Sequence, residues 1–134
     1  ELAGEHSSLR ELVSDTSSDG QLGRELQCLP QAVYFESRGE PLSGQLAVAQ
    51  VIINRSASSL FPDDYCSVIT QRAQFSFVKS GRIPAPRLGS IAWSRAKKIA
   101  RIAHRDQWAS SVGEARWASR KTALATIDSH TFYR

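Results

Sequence analysis

The stretch Ala32-Val33-Tyr34-Phe35-Glu36-Ser37-Arg38-Gly39-Glu40 sets one carboxylate among apolar side chains near the end of a helical pattern. A carboxyl group kept out of water has its pKa raised and can donate a proton near neutral pH. Glu36 is therefore the best single candidate for a catalytic acid in the chain. The competing reading is a glutamate on the exposed face of a helix end, with no chemistry to do. Glu40 differs in setting. It follows Gly39 and directly precedes Pro41, and it reads as a structural or rim carboxylate in a loop.

The elements that must position Glu36 follow from periodicity. Leu22, Leu26, Leu29, Ala32, Val33 and Phe35 recur at spacings near three and four, which predicts a helix over 21–37. Gly39, through a left-handed backbone, and Pro41, through its missing amide hydrogen, are expected to stop that helix. Glu36 then lies in the last turn, facing the negative end of the helix dipole, which again favours the protonated form. A second helix, capped by Ser43, runs to about Ser56 and is apolar around much of its circumference, as a central core helix would be. Beyond the turn at 60–64, Asp63 or Asp64 can cap a short helix through Val68 and Ile69.

Gln74-Phe75-Ser76-Phe77-Val78 alternates like a strand, with Phe75 and Phe77 on one face and Gln74, Ser76 and Val78 on the other. Two readings fit: aromatic burial in a small sheet, or a cleft wall offering Gln74 and Ser76 to a polar ligand. Pro84-Ala85-Pro86 is a rigid loop, and a third helix is expected from about Leu88 to Arg105. Its apolar side carries Ile91, Ala92, Ala96, Ile99, Ala100, Ile102 and Ala103; its basic side carries Arg95, Lys97, Lys98, Arg101 and Arg105. That basic side is either a solvated face or a DNA-reading one. The closing segment 126–134 is strand-like, with His130 and Tyr133 alternating with Thr131.

The chain has 134 residues, 41% of them hydrophobic, enough for one compact domain with a core. The first twenty residues are polar and read as a flexible lead-in with room for one short helical turn, leaving 21–134 as the domain. No apolar run approaches a membrane span and no charged-then-apolar leader opens the sequence. A cytoplasmic protein and a mature exported one both fit. Residues 1–36 hold seven acids and two bases, whereas residues 37–134 hold six acids and fifteen bases. A basic main body suits an anionic polymer, either nucleic acid or bacterial cell wall. The two cysteines, Cys28 and Cys66, leave a disulfide and two buried thiols both open. No Cys or His pair stands at metal-ligand spacing, so neither metal nor cofactor is expected.

Four ordered blocks carry a resemblance. AVYFESRGEPLSGQLAVAQVIINR, FPDDYCSVI, QFSF and SHTFYR resemble, in that order, the SleB/CwlJ-type cell wall hydrolases, which include the spore cortex-lytic enzymes and their proteobacterial relatives. The resemblance covers residues from about 28 to 134. It implies a mainly α (α+β), lysozyme-like or lytic-transglycosylase-like helical domain with a small β element, cleaving the glycan strands of peptidoglycan. On this resemblance the catalytic acid is Glu36, and the Glu36-Ser37 pair is similar to the Glu-Ser of lytic transglycosylases, whose hydroxyl helps orient the carboxyl. Glu40, Gln74 and Ser76 would line the glycan cleft, with His130 and Tyr133 near it.

The chain departs from the family pattern twice. Proteobacterial relatives often carry cysteines flanking QFSF, where this chain has Ala73 and Val78. Joint loss of that pair implies that Cys28 and Cys66 are the pair that remains. The aromatic-rich stretch common before the final block is also shortened, because Trp117 runs almost directly into Ala118-Ser119-Arg120-Lys121. That shortening bears on one wall of the cleft.

Glycosidases normally use two carboxylates, and a second is not evident here. Glu40 is cut off from the helix of Glu36 by Gly39, and Asp63 and Asp64 are expected as caps. The expected chemistry is therefore that of a lytic transglycosylase. Glu36 protonates the glycosidic oxygen, then as a base draws a proton from the sugar's own 6-hydroxyl, giving a 1,6-anhydro-muramic end. A muramidase and a non-catalytic peptidoglycan-binding module are the alternatives, with nucleic-acid binding a more distant one. An exported protein, periplasmic or associated with the wall, follows from this reading.

Overall fold

A computed structural model of the chain describes residues 8–18, 23, 26–71 and 75–108, together with the backbone of 126–127 and 130–131. The described part is mainly helical. Its elements are α1 (Leu9–Asp15), α2 (Leu29–Ser37), α3 (Leu42–Ser56), α4 (Tyr65–Ile69), α5 (Ile91–His104), β1 (Thr126–Ile127) and β2 (His130–Thr131).

The core is formed where α2, α3 and α5 pack pairwise against one another. Leu29, Ile52 and Ile99 are fully buried there, and burying a side chain of this size contributes about 1.5–3 kcal/mol. Helix α3 is the central helix, as its apolar composition predicts. It buries Leu46, Ala47, Val48, Ala49, Val51 and Ile52 and touches α1, α2, α4 and α5. Its N-cap is Pro41 rather than Ser43, which sits exposed inside the first turn. Pro41 can hold that place because its extended backbone (ψ 161°) suits a cap and its missing N–H costs nothing there.

The helix expected over 21–37 begins only at Leu29. Pro30 occupies its first turn, where the missing N–H is not needed; deeper in a helix it would remove a hydrogen bond and clash with the preceding turn. The end falls where the sequence places it, with Arg38 as C-cap donating its N–H to the Tyr34 carbonyl. Gly39 does not use a left-handed backbone, since Gly81 (φ 76°) is the described glycine with positive φ. A tight turn, closed by the Glu40 N–H on the Ser37 carbonyl at 2.9 Å, leads directly into Pro41.

Helix α4 is capped by Asp64, whose carboxylate accepts from the Ser67 amide at 2.8 Å and the Ser67 hydroxyl at 2.9 Å. The described part of the expected 74–78 strand is a turn instead, with the Val78 N–H on the Phe75 carbonyl at 3.3 Å. Phe75 and Phe77 still lie together, ring centroids 5.4 Å apart, because both pack against the core. A two-residue hairpin follows. Lys79 and Arg82 exchange backbone hydrogen bonds around Ser80 and Gly81, both with positive φ, the geometry of a type I′ turn.

Helix α5 starts at Ile91, three residues later than periodicity alone indicates, because the Ser90 hydroxyl caps it by accepting from the Trp93 amide at 3.1 Å. Of the five cations on its expected basic face, Arg101 is buried. Its guanidinium reaches α1's trailing segment and donates to the Ser17 carbonyl at 2.6 Å. Within the stretch read as a lead-in, α1 is therefore a helix of two turns. Ser8 caps it, Leu12 and Val13 are buried, and α5 and α3 are its neighbours. The β element is small: β1 and β2 pair antiparallel with Thr126 opposite Thr131 and Ile127 opposite His130.

Candidate active site

The last turn of α2 carries the candidate acid. Helical spacing puts Glu36 on the side of Val33, Ala32 and Leu29, its neighbours three, four and seven residues back. All three are fully buried, yet Glu36 itself is half-buried. The buried face of α2 thus becomes partly exposed at Glu36, while Ser37 beside it stays buried. No basic residue occupies that last turn to offset the helix dipole.

An aromatic relay fixes this end of the helix. The Trp93 ring meets Tyr34 edge-on at 5.9 Å, Tyr34 meets Phe35 edge-on at 4.8 Å, and Phe35 stacks on Phe77 at 5.5 Å. The relay ties α5, α2 and the 75–78 turn together next to Glu36 in the chain. Tyr34 is held further by the Arg87 amide, which donates to its hydroxyl oxygen at 3.3 Å. That hydrogen bond, helped by the Arg38 guanidinium 4.7 Å above the ring, lowers the pKa of the phenol below its ordinary value.

The other expected site residues stand as follows. Ser37 is buried, and its hydroxyl donates to the Val33 carbonyl at 2.8 Å, so its proton is committed to the helix backbone. Glu40 is half-buried on the turn after α2. Its carbonyl accepts from the Gln45 side-chain amide at 3.0 Å, and Gln45 is itself only 2% exposed. Through this bond Gln45 anchors the turn after α2. Its signal was a polar side chain inside the apolar run of α3, but only packing shows it reaching back to the turn. Ser76 is exposed between Phe75 and Phe77 and lines a cavity of about 310 Å³ with Thr70, Gln71 and Gly81. Gln74 and Tyr133 lie outside the described residues, and of His130 only the backbone, paired in β2, is described.

Cys28, the N-cap of α2, is disulfide-bonded to Cys66 in α4, with Cα atoms 5.1 Å apart. The bond pins the start of the helix whose other end carries Glu36. Among the described residues no group of three His, Cys, Asp or Glu side chains converges as metal ligands, and no helix is long and apolar enough to cross a membrane.

The domain is mainly helical and of the lysozyme-like class, with half-buried Glu36 at the end of α2. The fold matches the crystal structure of the catalytic domain of the Bacillus cereus SleB protein, with a TM-score of 0.64 and 32% identity over 87% of this chain and 94% of that one. A family model described as cell wall hydrolase matches residues 39–133. The chain belongs to the cell wall hydrolase family. It is 47% identical over 64 residues to the spore cortex-lytic enzyme of Oceanobacillus iheyensis, covering 48% of this chain and 23% of that protein. It is 40% identical over 74 residues to the spore cortex-lytic enzyme of Bacillus subtilis, covering 55% and 24%. The match thus spans about a quarter of the length of these curated relatives. The family-model match begins three residues after Glu36.

Proposed function

We propose that this domain, residues 21–134 with α1 packed against it, cleaves the glycan strands of peptidoglycan as a lytic transglycosylase. The observation that carries the reading is the placement of Glu36, which continues the fully buried stripe of α2 but is itself half-buried. A carboxyl group so placed is partly screened from bulk water and partly exposed. Glu36 donates a proton to the glycosidic oxygen as the bond to C1 of the muramic residue breaks. As a carboxylate it then takes the proton of the same residue's 6-hydroxyl while that oxygen bonds to C1. The 1,6-anhydro ring closes without added water, and Glu36 returns to its acid form. Asp64 is occupied as the cap of α4, which supports a mechanism resting on one acid. The exposure of Ser76, beside Phe77, supports a contact with the sugar chain. The Cys28–Cys66 disulfide supports an exported protein working at the wall, since such bonds persist in oxidising compartments.

The test is digestion of purified peptidoglycan followed by mass analysis of the released muropeptides. Anhydro-muramic ends are expected. Reducing muramic ends alone make the domain a muramidase, and binding without fragment release makes it a wall-binding module.

A further inference from the structure

A cavity that Glu40 helps to line lies outside the relay that holds Glu36. It is a groove of about 530 Å³ between two helix faces. On α5 the wall is the stripe Ile91, Ser94, Arg95 and Lys98, spaced i, i+3, i+4, i+7; on α1 it is Arg10, Val13 and Ser14, spaced i, i+3, i+4. Three cations from two helices therefore face one groove, and among its described lining residues the acid is Glu40. Among the described residues Arg10, Arg95 and Lys98 have no ion-pair partner. Like charges gathered around one concavity repel one another, and an anionic ligand relieves that repulsion. The 73% exposed Ile91 adds an apolar contact at the same wall.

We propose that this groove is a binding site for the carboxylate-bearing peptide stem of the substrate. The identity of the occupant rests on the peptidoglycan reading; the preference for a short acidic peptide rests on the groove itself. Geometry supports the match. Glu40 is four residues from Glu36, so the rim lies within about 14 Å of the acid along the chain, and an extended peptide of four or five residues spans a comparable length. Glu40 at the rim disfavours a uniformly anionic chain such as a polyphosphate. Arg10 and Arg95 supply planar, two-pronged donors suited to carboxylates.

The test is titration of the isotope-labelled domain with a free stem tetrapeptide and with the same peptide amidated at its carboxyl groups, followed by NMR. Saturable binding of the acidic peptide is expected, with shifts at α1 and α5, at least tenfold weaker binding of the amidated form, and weakening as salt rises. R95Q/K98Q on α5, and separately R10Q on α1, should each weaken the acidic peptide severalfold while keeping the dispersed spectrum of a folded domain. Equal affinity for both peptides, no saturable binding at millimolar concentration, or undiminished binding in both folded variants would overturn the proposal. Cleavage assays on stem-bearing and amidase-stripped glycan separate it from the reading beneath. If neither glycan is cleaved, the peptidoglycan reading fails, while the peptide titration still decides the groove. If both are cleaved, the wild-type preference for stem-bearing glycan should shrink in R95Q/K98Q, and an unchanged preference counts against the groove.

Discussion

The Phe35 ring lies stacked on the Phe77 ring, centroids 5.5 Å apart and planes inclined by 29°, one residue before the candidate acid. This pair joins α2 to a segment forty residues downstream and fixes the helix end that carries Glu36. Replacing Phe77 with Ala removes the stack and its share of burial, at an expected cost of about 2 kcal/mol for a partly buried ring. Denaturant unfolding should show that loss. Turnover on peptidoglycan should fall with it, and Phe77→Leu should recover most of both. Full turnover in a folded Phe77→Ala variant would separate the relay from catalysis.

Glu36→Gln keeps the shape and hydrogen-bonding reach of the side chain but cannot deliver a proton. Clearing of a peptidoglycan suspension should slow by roughly 10²–10⁴-fold, the usual worth of a general acid. The melting temperature should stay near that of the wild type. Wild-type clearing by this variant would remove Glu36 from the mechanism.

The fate of the muramic C1 distinguishes the two chemistries. Anhydro ends are lighter by one water than reducing ends, so mass spectra of the digest should show the lighter series throughout the time course. Running the digest in isotopically labelled water should leave those ends unlabelled, because the sugar's own hydroxyl is the nucleophile.

The Cys28–Cys66 bond closes a sequence separation of 38. Chain-entropy reasoning for a loop of that size gives about 4 kcal/mol of stabilisation. Reduction, or the double Cys→Ala variant, should lower unfolding stability by an amount of that order. Activity at low temperature should survive in whatever fraction remains folded.

Buried Arg101 ties α1 to the core through the Ser17 carbonyl. Arg101→Met keeps much of the packing volume and removes the charge-assisted hydrogen bond, worth about 1.5–3 kcal/mol. Amide exchange in α1 should accelerate more than in α3. Uniform acceleration would mean that α1 unfolds only with the whole domain.

Much of the site was legible in short-range pattern. The end of α2 at Gly39-Glu40-Pro41, the cap at Asp64 and the central position of α3 all follow from residues within a few positions of one another. The failures have physical causes of the same kind. Pro30 overrode an apolar periodicity that runs unbroken from Leu22 to Phe35. Phe75 and Phe77 alternate like a strand but, in the described residues, have no partner strand, so they turn and pack on the core. In α1, Leu9, Leu12 and Val13 form a stripe too short to signal a helix alone, and it is stable only because α5 and α3 cover it.

Sequence by itself determined which carboxylate sits among apolar neighbours at a helix end, because periodicity, caps and breakers act over one or two turns. Tertiary structure decided that this carboxylate stands where the buried face of α2 becomes partly exposed. It also decided that Phe77 abuts Phe35, that Gln45 holds the turn at Glu40, and that Arg10 and Lys98 face one groove. Such meetings depend on how whole helix faces pack, and no local spacing encodes the choice of partner.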